Sequence, residues 1–214
     1  MRSPTVLAGV ALACAFAAYL LLDLLRGLRQ ESAVAQYAGQ IFRSPTSFVA
    51  GNPAGDASVV AFFDYNCPYC RNNAPALANL IARDPKIRLV LKELPMLGAD
   101  SEAVARLALA ARVQGQYYEM HRRLITEPGR ATPEKALRIA AALGLDAEKL
   151  TRDSQEDAVQ AILAENSRLA DRLGIQGVPF YLVGDRVLPA AEDFPKRLAE
   201  AVAEIRRTGC RAEC

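Results

Sequence analysis

The chain has 214 residues, 51% of them apolar and 23% charged, with a net charge of +2. That is ordinary globular composition, and so small a charge gives no reason to expect a nucleic-acid partner. With no Trp and with His121 as the single histidine, histidine-based metal centres and Ser-His or Cys-His hydrolases are disfavoured.

The N-terminus reads as a targeting segment. Arg2 precedes a charge-free run from Val6 to Leu22, close to the ~20 residues of a bilayer-spanning helix. Residues 1–26 are therefore predicted to be a signal anchor. A signal peptide cleaved near Ala15-Phe16-Ala17 is the alternative. Cys14 lies within the run and is assigned no chemistry. Residues 27–50 read as a connecting helix or stalk with Leu28, Ala35, Ala38 and Ile41 on one face, which leaves homo-oligomer formation open. The turn cluster Gly51-Asn52-Pro53-Ala54-Gly55-Asp56 marks the start of the main domain.

Ser58 to Asp64 has the apolar pattern of a buried strand, and it runs into Cys67-Pro68-Tyr69-Cys70. Pro68 suits the first turn of the helix that follows, and Pro75 lies inside that helix. Two thiols separated by two residues close a small disulfide ring or open to a dithiol. At a strand-to-helix junction the first sulfur meets unpaired N–H groups and the positive end of the helix dipole. That setting favours thiolate over thiol, so Cys67 is the expected nucleophile and Cys70 its partner.

Ile87 to Glu93 reads as a second strand, ended by Pro95. From Asp100 to about Leu173 only helical segments follow, one of them opened by Thr132-Pro133-Glu134 as cap and first turn. Phe180–Val183 and Arg186–Leu188 flank Gly184-Asp185 as a hairpin. Asp193 to Arg207 closes the pattern as an amphipathic helix. His121, beside Arg122 and Arg123, reads as part of a solvated helix face, and Tyr117-Tyr118 as helix packing. Cys210 and Cys214 suit a small structural disulfide of an oxidising compartment. A redox relay with Cys67–Cys70, or a four-cysteine zinc site, are the alternatives.

The stretch Phe62 to Cys70, with Gly51-Asn52-Pro53, Lys92-Glu93-Leu94-Pro95 and Gly174-Ile175-Gln176-Gly177-Val178-Pro179, resembles the DsbA-like thiol:disulfide oxidoreductases, those of the ScsC type above all. The resemblance covers roughly residues 51–206. It implies an α/β thioredoxin fold built from 51–99 and 174–209, a helical insertion at 100–173, and a cysteine-containing tail at 210–214. It also implies a cis bond at Val178-Pro179, with that loop against the sulfurs and its backbone free to pair with an extended substrate segment. The family commonly has a buried acid six residues before the first cysteine; here that residue is Ala61. Glu93, Lys92 or water would then have to manage the inner thiol's proton, or that step is slower.

The implied activity is disulfide exchange with protein substrates, as an oxidant of envelope proteins. A membrane redox partner would reset the site, and neither cofactor nor metal is called for. The protein would be periplasmic and tethered by its N-terminal segment. An isomerase or reductase of the same fold, or a redox-inactive chaperone, are the competing readings.

Overall fold

The structure, a computed structural model, describes residues 4–212, the side chains of residues 4–13, 23 and 26 excepted. Helix α1 (Pro4–Gln36) leads into α2 (Ala38–Phe42) and strand β1 (Phe48–Gly51). Strand β2 (Ala57–Phe63), helix α3 (Pro68–Arg83) and strand β3 (Ile87–Glu93) form a parallel crossover unit. The helices α4 (Ala99–Ala110), α5 (Tyr117–Thr126), α6 (Pro133–Ala142), α7 (Ala147–Asp153) and α8 (Asp157–Arg172) follow. The chain closes with strands β4 (Phe180–Val183) and β5 (Arg186–Leu188) and helix α9 (Phe194–Thr208). The sheet order is β1-β3-β2-β4-β5, with every neighbouring pair antiparallel except β2 and β3.

The central strand explains its own sequence. All seven residues of β2 are buried, because the sheet is covered on both faces, and a strand covered twice reads as a continuous apolar run. Val59, Ala61 and Phe63 face a cluster built with α3, α5, α9 and the helical block. Val60 and Phe62 face Val34 of α1, Ile41 and Phe42 of α2, and Leu169 of α8. The segment at residues 27–50 is thus not merely a connector: its C-terminal part covers one face of the sheet.

The sheet also begins earlier than the turn cluster at Gly51 suggested. β1 pairs with β3 from Phe48↔Leu91 to Gly51↔Arg88. Only Ala50 of this four-residue edge strand is buried, so no alternation announces it. Gly51 ends it at φ +73°, where a Cβ would lie 2.6 Å from the Ile87 carbonyl oxygen, and only glycine fits such a position.

α1 runs unbroken through the expected boundary at residue 26. Among the described residues no helix is long and apolar enough to cross a membrane. The side chains of the first half of the apolar run lie outside the described residues.

Phe62 is wholly buried and meets Phe180 edge-on at 6.0 Å between ring centres. Phe62→Ala should cost ~3–5 kcal/mol, read as a lower urea midpoint with unchanged slope.

Candidate active site

Cys67 caps α3. Its backbone is extended, and its sulfur accepts the Cys70 N–H at 3.4 Å. Pro68, the first helical residue, has no N–H to satisfy. The sequence therefore places one sulfur at the helix N-terminus and the second one turn inside. Both cysteines are free and almost wholly covered.

Hydrogen bonding separates the two thiols. The Cys70 side chain donates to Cys67, and the backbone N–H groups of Cys70 and Tyr69 add to it. Against the opposing effect of burial, these bring Cys67 down from 9.0 to about 6. The same bond, with burial, pushes Cys70 far above the ordinary thiol range. Near neutrality the pair thus holds one anion on the outer sulfur and one proton on the inner.

The Val178-Pro179 peptide is cis, and the Val178 carbonyl oxygen lies 3.3 Å from the Cys67 sulfur. Sequence positions 67 and 178 therefore meet at one place.

The proton-relay candidates do not share a location. Glu93 lies on the cysteine side of β3, accepts a hydrogen bond from the Tyr117 hydroxyl, and is raised to about 7 by burial. Lys92 points to the other face of the strand. There its Nζ donates to the Gln40 carbonyl and the Ser47 hydroxyl, and burial lowers it to about 8. Lys92 anchors α2 and stands away from the thiols.

Several residues that hold the site were not singled out in the sequence. Asp64, buried, accepts from the N–H groups of Asn66, Met96 and Leu97 and from the Ser101 hydroxyl. Asn66 exchanges hydrogen bonds with the backbone of Ala131 and donates to Ser101. Arg71 donates to the carbonyls of Tyr65, Leu124 and Glu127. Together these tie the loop before Cys67 to the helical block. The available signal was a carboxylate and an amide directly after an apolar strand, which a turn alone does not require.

His121 departs from expectation. It is 8% exposed, packs edge-on to Phe63 at 4.8 Å, and its Nδ1 lies 3.2 Å from the Tyr65 hydroxyl. Burial lowers it to about 3, so the ring is neutral. Its arginine neighbours gave the impression of a wet face, but the helix turns this position inward. Tyr117 is buried against Phe48 at 4.4 Å, as packing predicted.

Cys210 is disulfide-bonded, while Cys214 lies outside the described residues. The Cys210 sulfur sits beside Gly184, at the end of β4 remote from Val178. Six residues of extended chain separate the two ends, roughly 20 Å. The Cys210 sulfur thus lies away from Cys67 and Cys70, and among the described residues no group of three or more His, Cys, Asp or Glu side chains could hold a metal ion.

Comparison with known proteins gives the family. Residues 58–203 match the DSBA-like thioredoxin domain. The chain belongs to that family. It is similar to a thioredoxin-like oxidoreductase of Silicibacter pomeroyi DSS-3, with 42% identity and a TM-score of 0.76 over 80% of this chain and 98% of that one. It is also similar to the thiol-disulfide exchange protein alpha-DsbA2 of Wolbachia pipientis (26%, TM-score 0.76, 84% and 98%). The catalytic domain of Proteus mirabilis ScsC is a third (25%, TM-score 0.73, 81% and 97%). Among curated proteins, the Na(+)/H(+) antiporter NhaA 3 of Salinispora tropica is 29% identical over 140 residues, and this chain spans 22% of its length.

An ultraviolet thiolate titration of the reduced protein should show one transition near pH 6, from Cys67. The folded value lies below the unfolded one, so the ionised sulfur stabilises the fold fully above pH 9 and loses that contribution as pH falls through about 6. The stability difference between the reduced protein and its Cys67→Ala variant should therefore grow from pH 6 to 9.

Proposed function

We propose that the protein exchanges disulfides with protein substrates through Cys67 and Cys70, acting as an oxidant of proteins outside the cytoplasm. The observation that carries this reading is the Cys67 sulfur at the start of α3, met by the Cys70 N–H and lying 3.3 Å from the Val178 carbonyl oxygen.

In the oxidised state a substrate thiolate attacks the Cys67 sulfur. The Cys67–Cys70 bond breaks, and Cys70 leaves as thiolate and takes up a proton. A second substrate thiolate then attacks the substrate sulfur of the mixed disulfide. The substrate gains a disulfide, and Cys67 leaves as the thiolate its surroundings stabilise. A stabilised leaving thiolate favours the reduced enzyme, which supports the oxidising direction. The backbone of Val178 suits an extended segment laid beside the sulfurs. Tyr69, Met96 and Leu97, exposed by 69%, 45% and 43%, supply apolar surface near the site, which suits unfolded clients.

The disulfide at Cys210 is in keeping with an oxidising compartment. Along α1, Phe16, Tyr19, Leu20, Leu21, Leu22 and Leu24 are exposed. We assign this uncovered stripe to a membrane tether, which would also bring the protein close to a membrane partner able to reoxidise Cys67 and Cys70.

Two outcomes are expected. Cys67→Ser should abolish turnover in an insulin-reduction assay; unchanged turnover rejects the exchange reading. The reduced protein should resist urea better than the oxidised protein; the reverse order makes it a reductase.

A further inference from the structure

Cys70 has a proton to move in every cycle and little visible way to move it. Its sulfur must gain a proton when Cys70 leaves Cys67, and lose one before it can attack a mixed disulfide. Yet Cys70 is 3% exposed, and the Cys67 side is where Val178 and a client would lie. Among the described residues, no carboxylate or imidazole is hydrogen-bonded to its sulfur.

A cavity of about 420 Å³ meets Cys70 from the opposite side, between α3 and α5. Its floor is the sheet, at Ala61, Leu89 and Leu91. Its mouth is polar, formed by Asn79, Glu119, Arg122 and Thr126. His121 lines it too. Ala61 stands between Val59 and Phe63 on this face of β2, and its small side chain leaves the space beneath the inner thiol open.

We propose that this cavity is a hydrated proton port for Cys70, with His121 as the residue that positions its water. The inference rests on the disulfide-exchange reading. A water occupies about 30 Å³, so the volume holds several. Tyr65 engages Nδ1 of His121, which leaves Nε2 for a cavity water. A neutral ring there orients water without trapping the proton. When Cys70 attacks the Cys67–substrate disulfide, its proton passes to this water and on to solvent. The S–S bond to the substrate breaks, the Cys67–Cys70 bond forms, and the substrate leaves as thiolate.

The other titratable and charged groups around Cys70 have different positions or partners. Cys67, the cap of the same helix, is bonded to the substrate sulfur at this step, and Arg71 is held by three carbonyls. Asp64, from the end of β2, is taken by four donors. Tyr181 of β4 is pushed up by burial and keeps its proton. From α5, Tyr118 is raised likewise, while Glu119 pairs with Arg122 at the mouth and Arg123 lies beside them. Glu93 of β3 does not line the cavity and is bonded to Tyr117.

The test measures how fast Cys70 resolves a mixed disulfide between Cys67 and an aromatic thiol, across pH. Ala61→Leu adds three carbons where there is room for them, and should slow resolution roughly tenfold or more. The Cys67 titration midpoint should not move. Ala78→Leu narrows the cavity from α3 without touching the sheet, and should act in the same direction if Ala61→Leu does not fold. His121→Phe, which keeps the ring volume without nitrogens, should slow resolution, and His121→Gln should restore part of the rate. Folded Ala61→Leu and Ala78→Leu proteins resolving at the original rate would overturn the port. Failure of Cys67 to form the mixed disulfide at all would instead sink the exchange reading.

Discussion

One sulfur–sulfur hydrogen bond organises this molecule's chemistry. The Cys70 thiol donates to the Cys67 sulfur, lowering one group and raising the other. A single proton serves two sites, and the asymmetry decides which sulfur ionises and which keeps the proton. Helix geometry provides the offset: Cys67 is the cap, and Cys70 lies three residues on, where its N–H returns to the cap sulfur. Pro68 occupies the one early position that needs no donor. Any other spacing would lose either the thiol bond or the amide bond.

That short contact is held by long-range structure. The parallel pairing of β2 with β3 aligns Phe63 with Glu93, so the loop carrying the cysteines and the loop at Met96 emerge on the same side. Asp64 joins them through the Met96 and Leu97 amides. Val178 arrives from the opposite direction along antiparallel β4. Three separate stretches of chain thus converge at one end of the central strands, which is how a flexible backbone brings the two sulfurs and the Val178 carbonyl together. The helical block contributes through Ser101, Ala131 and the α5 carbonyls that bind Arg71, so it braces the site as well as covering the sheet.

Much of this was legible in the chain. β3, β4 and β5 lie where their apolar runs and turn residues put them. α6 starts at Pro133 after Thr132, whose side chain accepts the Lys135 N–H. Cys67, Cys70 and the Val178-Pro179 loop were readable because their chemistry restricts residue type. What escaped was set by tertiary contact. β1 has too few buried residues to show a period. His121 carries the same residue letter whether its helix turns it outward or inward, and only the packing of Phe63 and Tyr65 decides. Lys92 and Glu93 are neighbours in sequence, yet the two-residue period of a strand sends them to opposite faces. The sheet therefore sets the two candidates apart, Glu93 on the cysteine face and Lys92 against α2.

The small residue at position 61 shows how a local absence acquires meaning from its surroundings. An alanine in a central strand is unremarkable by itself, since the strand needs only something apolar there. Beneath an inner thiol whose proton must come and go, the same alanine sets the size of a cavity. Buried charge is costly unless paired or solvated, so a thiol that ionises in a packed interior needs either an internal base or water. Glu93 is committed to Tyr117 and Lys92 to α2, so in this fold the open side of Cys70 supplies the solvation that no buried group provides. The outer sulfur is activated by hydrogen bonds, the inner one by access to water. The two halves of the exchange reaction are thereby governed by different parts of the structure.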